Sequence, residues 1–322
     1  MSTNLTDGQR AVLTMSQNVI GEVKKVIIGK DEIIIKVLLS ILAGGHVLIE
    51  DIPGVGKTTL AVALSKALSL DYKRLQFTPD VLPTDVTGFN ILNKQTQRFE
   101  YKQGAALTNL FLADEINRTS SKTQSALLEI MEEGKVTVDG VTRKAPDPYI
   151  VIATQNPIGS IGTQMLPESQ MDRFIVRLTM GYPSVENEVM MLKAKQSLVP
   201  MDSVRAVVNA QDIIDARKEV ENIYVADQVF DYIARLASAT RNHPMIKLGL
   251  SPRGTIALLR MTKATALLKG RDYVIPDDVA YTFNDVVLHR VILSSKSKIS
   301  GISGEQVLKD ILASVDVPRI SK

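Results

Sequence analysis

Apolar positions recur at the helical period over residues 9–26 and predict an opening helix. A second helical run covers 31–43, with Asp31 as a favourable first-turn acid and Gly44-Gly45 as its end. HVLIE (46–50) is a short apolar run of the kind that forms a buried strand. It leads directly into DIPGVGKTT and another helical stretch, LAVALSKALSL. Further strand candidates follow at 72–77, 110–114, 149–154 and 174–178, with helical stretches between most of them. Strands alternating with helices predict a parallel sheet covered on both faces, an α/β fold. Two segments break the alternation. Residues 88–101 read as a small hairpin or loop insertion, and 134–144 as a hairpin turning at Asp139-Gly140. Past Gly181-Tyr182-Pro183 the period is helical, at 184–197, 211–220, 226–242, 253–269, 276–293 and 304–314. Asp202-Ser203, Asp227, Ser251-Pro252 and Pro276-Asp277 are helix-start signals there. The pattern therefore divides the chain into an α/β domain, 1–182, and an all-α domain, 183–322.

A chain of 322 residues with 45% hydrophobic and 23% charged positions fits two ordinary globular domains. It contains no cysteine, which excludes disulfides, thiolate zinc sites, iron–sulfur ligation and a cysteine nucleophile. A reducing compartment is consistent with this, and the expected localisation is cytoplasmic. A net charge of +3 and the lack of tryptophan weigh against a nucleic-acid partner. The longest apolar stretch, Ile33 to Ile49, is interrupted by Lys36 and Gly44-Gly45-His46, so no membrane span is expected. The beginning, MSTNLTDGQR, has no apolar core of a signal peptide.

Pro53-Gly54-Val55-Gly56-Lys57-Thr58-Thr59 joins a predicted strand to a predicted helix. It carries the Gly-Lys-Thr of a phosphate loop, although Asp51 stands where the general pattern has its first glycine. Gly54 and Gly56 let backbone N–H groups turn toward phosphate oxygens, and the helix start adds its positive dipole end. Lys57 would reach the outer phosphates and Thr58 would bind Mg2+. The strand Leu110 to Ala113 runs into Asp114-Glu115, delivering two acids to a carboxyl sheet edge. Asp114 would hold the metal and Glu115 would polarise an attacking water. A strand ending in two solvated acids would mean little alone, but it follows a phosphate loop here. Asn156, at the tip of the strand 149–154, would lie between the acids and the phosphate loop and could sense the γ-phosphate. Arg173 sits just before the last strand. Arg253 sits in the first turn of a helix, where a cation opposes the helix dipole and calls for an anionic partner.

With these residues assembled, the chain closely resembles the MoxR family of AAA+ ATPases, from about Ile28 to about Val291. HVLIED leading into PGVGKT, LADEINR, KTQSALLE, ATQNP, LPE, DRF and SPR carry the resemblance. It implies a five-stranded core of order 5-1-4-3-2 followed by an all-α lid. It implies that Lys57 with Thr58 is the Walker A pair, Asp114 with Glu115 the Walker B pair, Asn156 sensor 1 and Arg253 sensor 2. Arg173 would be an arginine finger reaching the γ-phosphate in a neighbouring subunit. Ile28-Gly29 would pack on adenine. The segments near 88–101 and 134–144 would be the helix-2 insert and the pre-sensor-1 hairpin. The implied protein is an ATP- and Mg2+-dependent homo-hexameric ring, in which ATP links Arg173 of one subunit and Arg253 of the lid to one γ-phosphate. Its implied role is chaperone-like remodelling, maturation or assembly of client complexes, with a von Willebrand factor A domain protein as companion.

Alternatives rest on particular residues. Lys135, Arg143 and Lys144 in the hairpin would suit a nucleic-acid-stimulated motor, but Glu132, Glu133 and Asp139 dilute that charge. A nucleotide-gated scaffold with little turnover is disfavoured by the full set of acids and arginines. A small-molecule kinase is disfavoured by Glu115 and the lid. His46, His243 and His289 are too scattered for a metal site, and the methionines suit helix cores.

Overall fold

The computed structural model describes residues 5–52, 54–156, 166–196 and 201–319. Nine strands precede the lid: β1 (Val47–Glu50), β2 (Tyr72–Gln76), β3 (Gly88–Asn93), β4 (Arg98–Gln103), β5 (Leu110–Asp114), β6 (Lys135–Val138), β7 (Val141–Lys144), β8 (Ile150–Gln155) and β9 (Val176–Leu178). Five of them form one parallel sheet in the order β2-β5-β8-β1-β9. Counted among themselves in chain order these are 2-3-4-1-5, the expected 5-1-4-3-2 read from the other edge.

The central strands are apolar up to their polar carboxyl ends because both faces are covered. Alternate residues of β1, β5 and β8 point to opposite faces. Val47, Ile49, Leu110, Leu112, Ile150 and Ile152 belong to one core, with the helices Asp7–Lys24, Asp31–Leu42 and Lys57–Ala67. Leu48, Phe111, Ala113, Val151 and Ala153 belong to the other, beneath Leu127, Leu128, Ile130 and Met131 of the helix Ser121–Glu133. The first core continues through Ile213, Ala216, Leu258 and Met261 of the C-terminal helices. The opening helices and the lid are thus fused by one hydrophobic cluster.

β3 pairs antiparallel with β4, and β6 with β7. The two hairpins meet: Asn90 donates to Asp139 at 2.7 Å, and the Arg143 guanidinium lies 3.7 Å from the centre of the Tyr101 ring. Two charges that suggested a nucleic-acid surface are therefore engaged locally, Arg143 on Tyr101 and Lys135 with Glu133 at 3.4 Å.

The lid holds the helices Ala210–Glu221, Asp227–Asn242, Pro252–Leu268, Pro276–Val287 and Gly304–Ser314. It departs from the sequence pattern in two places. The run expected to stay helical to 293 stops at Val287, because Arg290 turns inward and Ile292–Leu293 pairs antiparallel with Ile246–Leu248. Asp202-Ser203 starts no long helix. Asp202 binds Lys66 at 2.6 Å, and Asn209 caps the next helix by accepting from the N–H groups of Gln211 and Asp212.

Candidate functional site

The phosphate loop lies between β1 and the helix beginning at Lys57, at the carboxyl edge of the sheet. Gly54 and Gly56 have φ of +85° and +97°, so a side chain at either would be strained. A Cβ built at either would meet nothing within 4 Å, which leaves the loop open for a ligand. No side chain caps the helix start, so its free N–H groups form an anion site. Lys57 is buried and donates to the carbonyls of Asp51 (2.7 Å) and Ile52 (3.1 Å). Burial lowers its pKa, while Asp51, Asp114 and Glu115 pull it back up. Thr58 and Thr59 follow, half-buried.

Asp51 has a structural task of its own. Its buried carboxylate accepts from the N–H groups of Met180 and Gly181, both at 2.6 Å, and from Ile52 at 2.8 Å. The same linker is gripped from the other side by Lys30, whose ammonium donates to the carbonyls of Gly181 (2.9 Å) and Tyr182 (3.0 Å). Ile28 and Gly29 precede Lys30. Gly29 has φ +70°, and a Cβ there would lie 2.2 Å from the Asn187 side chain. The Ile28-Gly29 segment is thereby held against the start of the helix Val185–Gln196.

β8 separates β5 from β1, which places Asn156 between the acids and the loop. Asp114 is buried. Its Oδ1 accepts from the Thr154 hydroxyl at 2.6 Å, and its Oδ2 accepts from Arg74 at 2.7 and 3.1 Å. Glu115 adopts φ +58°, rare for a residue with a side chain, and its N–H donates to Thr154 Oγ1 at 2.8 Å. Its carboxylate accepts from Asn156 Nδ2 (3.0 Å), Arg118 (2.9 Å) and Gln76 (3.4 Å). Burial raises the Glu115 pKa, but these donors outweigh it and hold the carboxyl below its ordinary value. Asn117 exchanges amide hydrogen bonds with the Asn156 backbone at 3.2 and 3.3 Å, fixing the tip of β8 to the tip of β5.

Arg173 and Arg253 lie elsewhere, at the amino edge. Glu132 ends the helix Ser121–Glu133 beside Met131, whose carbonyl accepts from His46 just before β1. Arg253 donates to Glu132, and Arg173 lies 3.4 Å from the same carboxylate oxygen. Arg173 also donates to the Leu128 carbonyl at 2.6 Å, while its Nε is buried without a partner among the described residues. Asp172 joins the two arginine segments, accepting from Ser251 Oγ (3.0 Å) and Arg290 Nε (2.7 Å). Arg290 further donates to the carbonyls of Phe174 (2.6 Å) and Ile175 (3.0 Å). A cavity of about 450 Å³ opens here, lined by Arg173, Arg253, Arg260, Arg290, Glu132 and Asp172 among others. Strand β1, with four residues at ~3.3 Å rise, separates this edge from the phosphate loop by roughly 13 Å.

Residues 46–176 match the family described as "ATPase family associated with various cellular activities (AAA)", and 238–311 match the AAA lid domain. The chain is 49% identical to YeaC, an uncharacterized protein of Bacillus subtilis (strain 168), over 92% of each. It is 35% identical to Chaperone MoxR1 of Mycobacterium tuberculosis, over 98% of this chain and 85% of that one. A solved structure from Cytophaga hutchinsonii, described as an ATPase, superposes with a TM-score of 0.91 at 36% identity, covering 97% and 98% of the two chains. The chain belongs to the MoxR family of AAA+ ATPases. Membership makes it a nucleotide-binding ATP hydrolase.

The donor set at the carboxyl edge suits this family's substrate. Thr58 and Asp114 offer the hard oxygens that Mg2+ takes, and a metal shared with phosphates needs few protein ligands. No cluster of three or more His, Cys, Asp or Glu that could hold a metal alone exists among the described residues. No helix among them is long and apolar enough to cross a membrane. Pro53 of the loop lies outside the described residues. Sequence reasoning missed Thr154, Arg74, Gln76 and Asn117. For Thr154, Gln76 and Asn117 the available signal was positional, because they lie at or just past the carboxyl ends of sheet strands; Arg74 sits in the middle of β2. Arg290 left no such signal.

Proposed function

We propose that the chain hydrolyses ATP in a ring whose nucleotide sites are each shared by two subunits. The carboxyl edge of one subunit binds ATP, and Arg173 and Arg253 of its neighbour meet the γ-phosphate together. One observation carries this reading: both arginines converge on Glu132 at the opposite end of β1 from Lys57. That position is at the far end of the strand from its own phosphate loop, and it supports assigning both arginines to the neighbouring subunit's site.

Within a site, the loop N–H groups and Lys57 bind the phosphates. Thr58 and Asp114 would hold Mg2+, which would supply charge neutralisation at the phosphate oxygens. Glu115 polarises the attacking water once Asn156 and Arg118 release its carboxylate, and Asn156 then reads the γ-phosphate. Fingers of this type contribute ~10³–10⁵ in rate in related phosphate-loop enzymes. Loss of the γ-phosphate releases Arg253, which belongs to the lid, so each turnover moves the lid. That motion drives chaperone-like remodelling, maturation or assembly of client complexes. The relative named Chaperone MoxR1 supports this role. A hexameric ring and a von Willebrand factor A domain companion complete the reading.

Steady-state phosphate release by mixed variants tests it. Glu115→Gln is expected to keep nucleotide binding and lose turnover by ~10²-fold or more. Arg173→Ala is expected to be inactive alone and partly active when mixed with Glu115→Gln. Normal turnover by Glu115→Gln would refute the role given to that residue, and lack of rescue at every mixing ratio would refute the shared site.

A further inference from the structure

We propose that Glu132 is a positioning residue for the shared site, a carboxylate that sets Arg173 and Arg253 to one spacing before the neighbouring phosphate arrives. The inference rests on the shared-site reading above.

Two of the three residues are poorly placed by their own elements. Glu132 lies in the last turn of the helix Ser121–Glu133, where a negative charge opposes the dipole. Arg253 lies in the first turn of the helix Pro252–Leu268, where a positive charge does so. Arg173 comes from the segment between the short helix Glu168–Met171 and β9. The fold brings these three charges to one point, and Glu132 is the carboxylate that touches both arginines. Two guanidinium groups this close repel, and a single acceptor between them is what keeps them together.

The contact is arranged for exchange. The side chains are 31% (Arg173), 47% (Arg253) and 40% (Glu132) exposed, so the pairs add little stability. They open on the arginine-lined cavity, where a phosphate can reach them. A terminal phosphate presents the same kind of acceptor oxygens as a carboxylate with more negative charge, so it outcompetes Glu132 for the guanidinium groups. Asp172 cannot substitute, since its oxygens accept from Ser251 and Arg290. While the contact lasts, Glu132 holds a core arginine and a lid arginine in the geometry a γ-phosphate requires. Loss of that preorganisation lowers turnover without touching the ATP-binding edge.

The test uses the full chain and ATP hydrolysis in mixed rings. Glu132→Gln alone is expected to lower kcat roughly 10- to 100-fold with the KM for ATP nearly unchanged. The Glu115→Gln and Arg173→Ala mixture serves as the control, since only the Glu115→Gln subunits donate complete fingers. Adding Glu132→Gln to those donors should remove most of the rescue. Adding it to the Arg173→Ala subunits should leave the rescue in place. Equal loss from both placements, with a lowered melting temperature, would make Glu132 a general structural residue and overturn the proposal. A faster rate would make it a brake and also overturn it. Absence of rescue in the control mixture would overturn the shared site and this inference with it.

Discussion

Asp51 occupies a position where the general phosphate-loop pattern has glycine, and its side chain accepts three backbone N–H groups. No positive φ is needed there, so a carboxylate can replace glycine and fasten the loop to the interdomain linker. Asp51→Ala would leave the N–H groups of Ile52, Met180 and Gly181 without their charged acceptor. The expected cost is roughly 2–4 kcal/mol, since hydrogen bonds to a charged group are worth more than neutral ones. Chemical denaturation should show a lower midpoint with an unchanged slope. An unchanged midpoint would mean that water or another acceptor replaces the carboxylate. Glu115 is read differently at this scale. Its chemistry was legible from a strand ending in Asp-Glu, but its partners Arg118, Asn156 and Gln76 come from three separate segments. Only the fold shows that its carboxylate is occupied by these donors.

The elements were read well where periodicity is strong and poorly where a long-range partner intervenes. The strands of the sheet could be anticipated from short runs spaced by helices, and their order from the family resemblance. The helix predicted to reach 293 fails at Val287 because Arg290 is captured by Asp172 and by the carbonyls ahead of β9. His289, next to it, donates to the Phe174 carbonyl. His46, at the start of β1, donates from Nε2 to the Met131 carbonyl and accepts from the Val151 N–H at Nδ1. Burial lowers the His46 pKa to about 4 and that of His289 well below its ordinary value; Arg290 adds to the second shift. Both stay neutral in the folded chain and charge in the unfolded one, so the unfolded state binds more protons below about pH 6.5. Stability is complete above that pH and falls as pH drops toward 4, by roughly 1.4 kcal/mol per unit for each histidine. Urea midpoints measured between pH 7 and 5 should fall accordingly. His46→Asn should flatten that fall, and an unchanged slope would remove His46 as its source.

At the scale of the whole molecule, the sheet has two functional ends. The phosphate loop and the acids Asp114 and Glu115 gather at the carboxyl edge, while Arg173 and Arg253 gather at the amino edge. In the proposed ring each subunit carries two half-sites, completed by its neighbours. Specific ATPase activity should rise with protein concentration and level off as sizing shows complete rings. Activity that is independent of concentration in a demonstrated monomer would contradict a site shared between subunits.

By itself the sequence determined the α/β core, the helical lid and the phosphate loop with its paired acids, through local periodicity, turn chemistry and spacing, which neighbouring residues specify among themselves. The strand order came only with the resemblance that its motifs carry. The tertiary structure alone decided where the arginines lie. Arg173 and Arg253 are far apart in the chain, and their meeting on Glu132 depends on how a core helix, the segment before β9 and a lid helix pack around the amino edge. Charge pairing across such distances is fixed by packing geometry, and no local pattern encodes it.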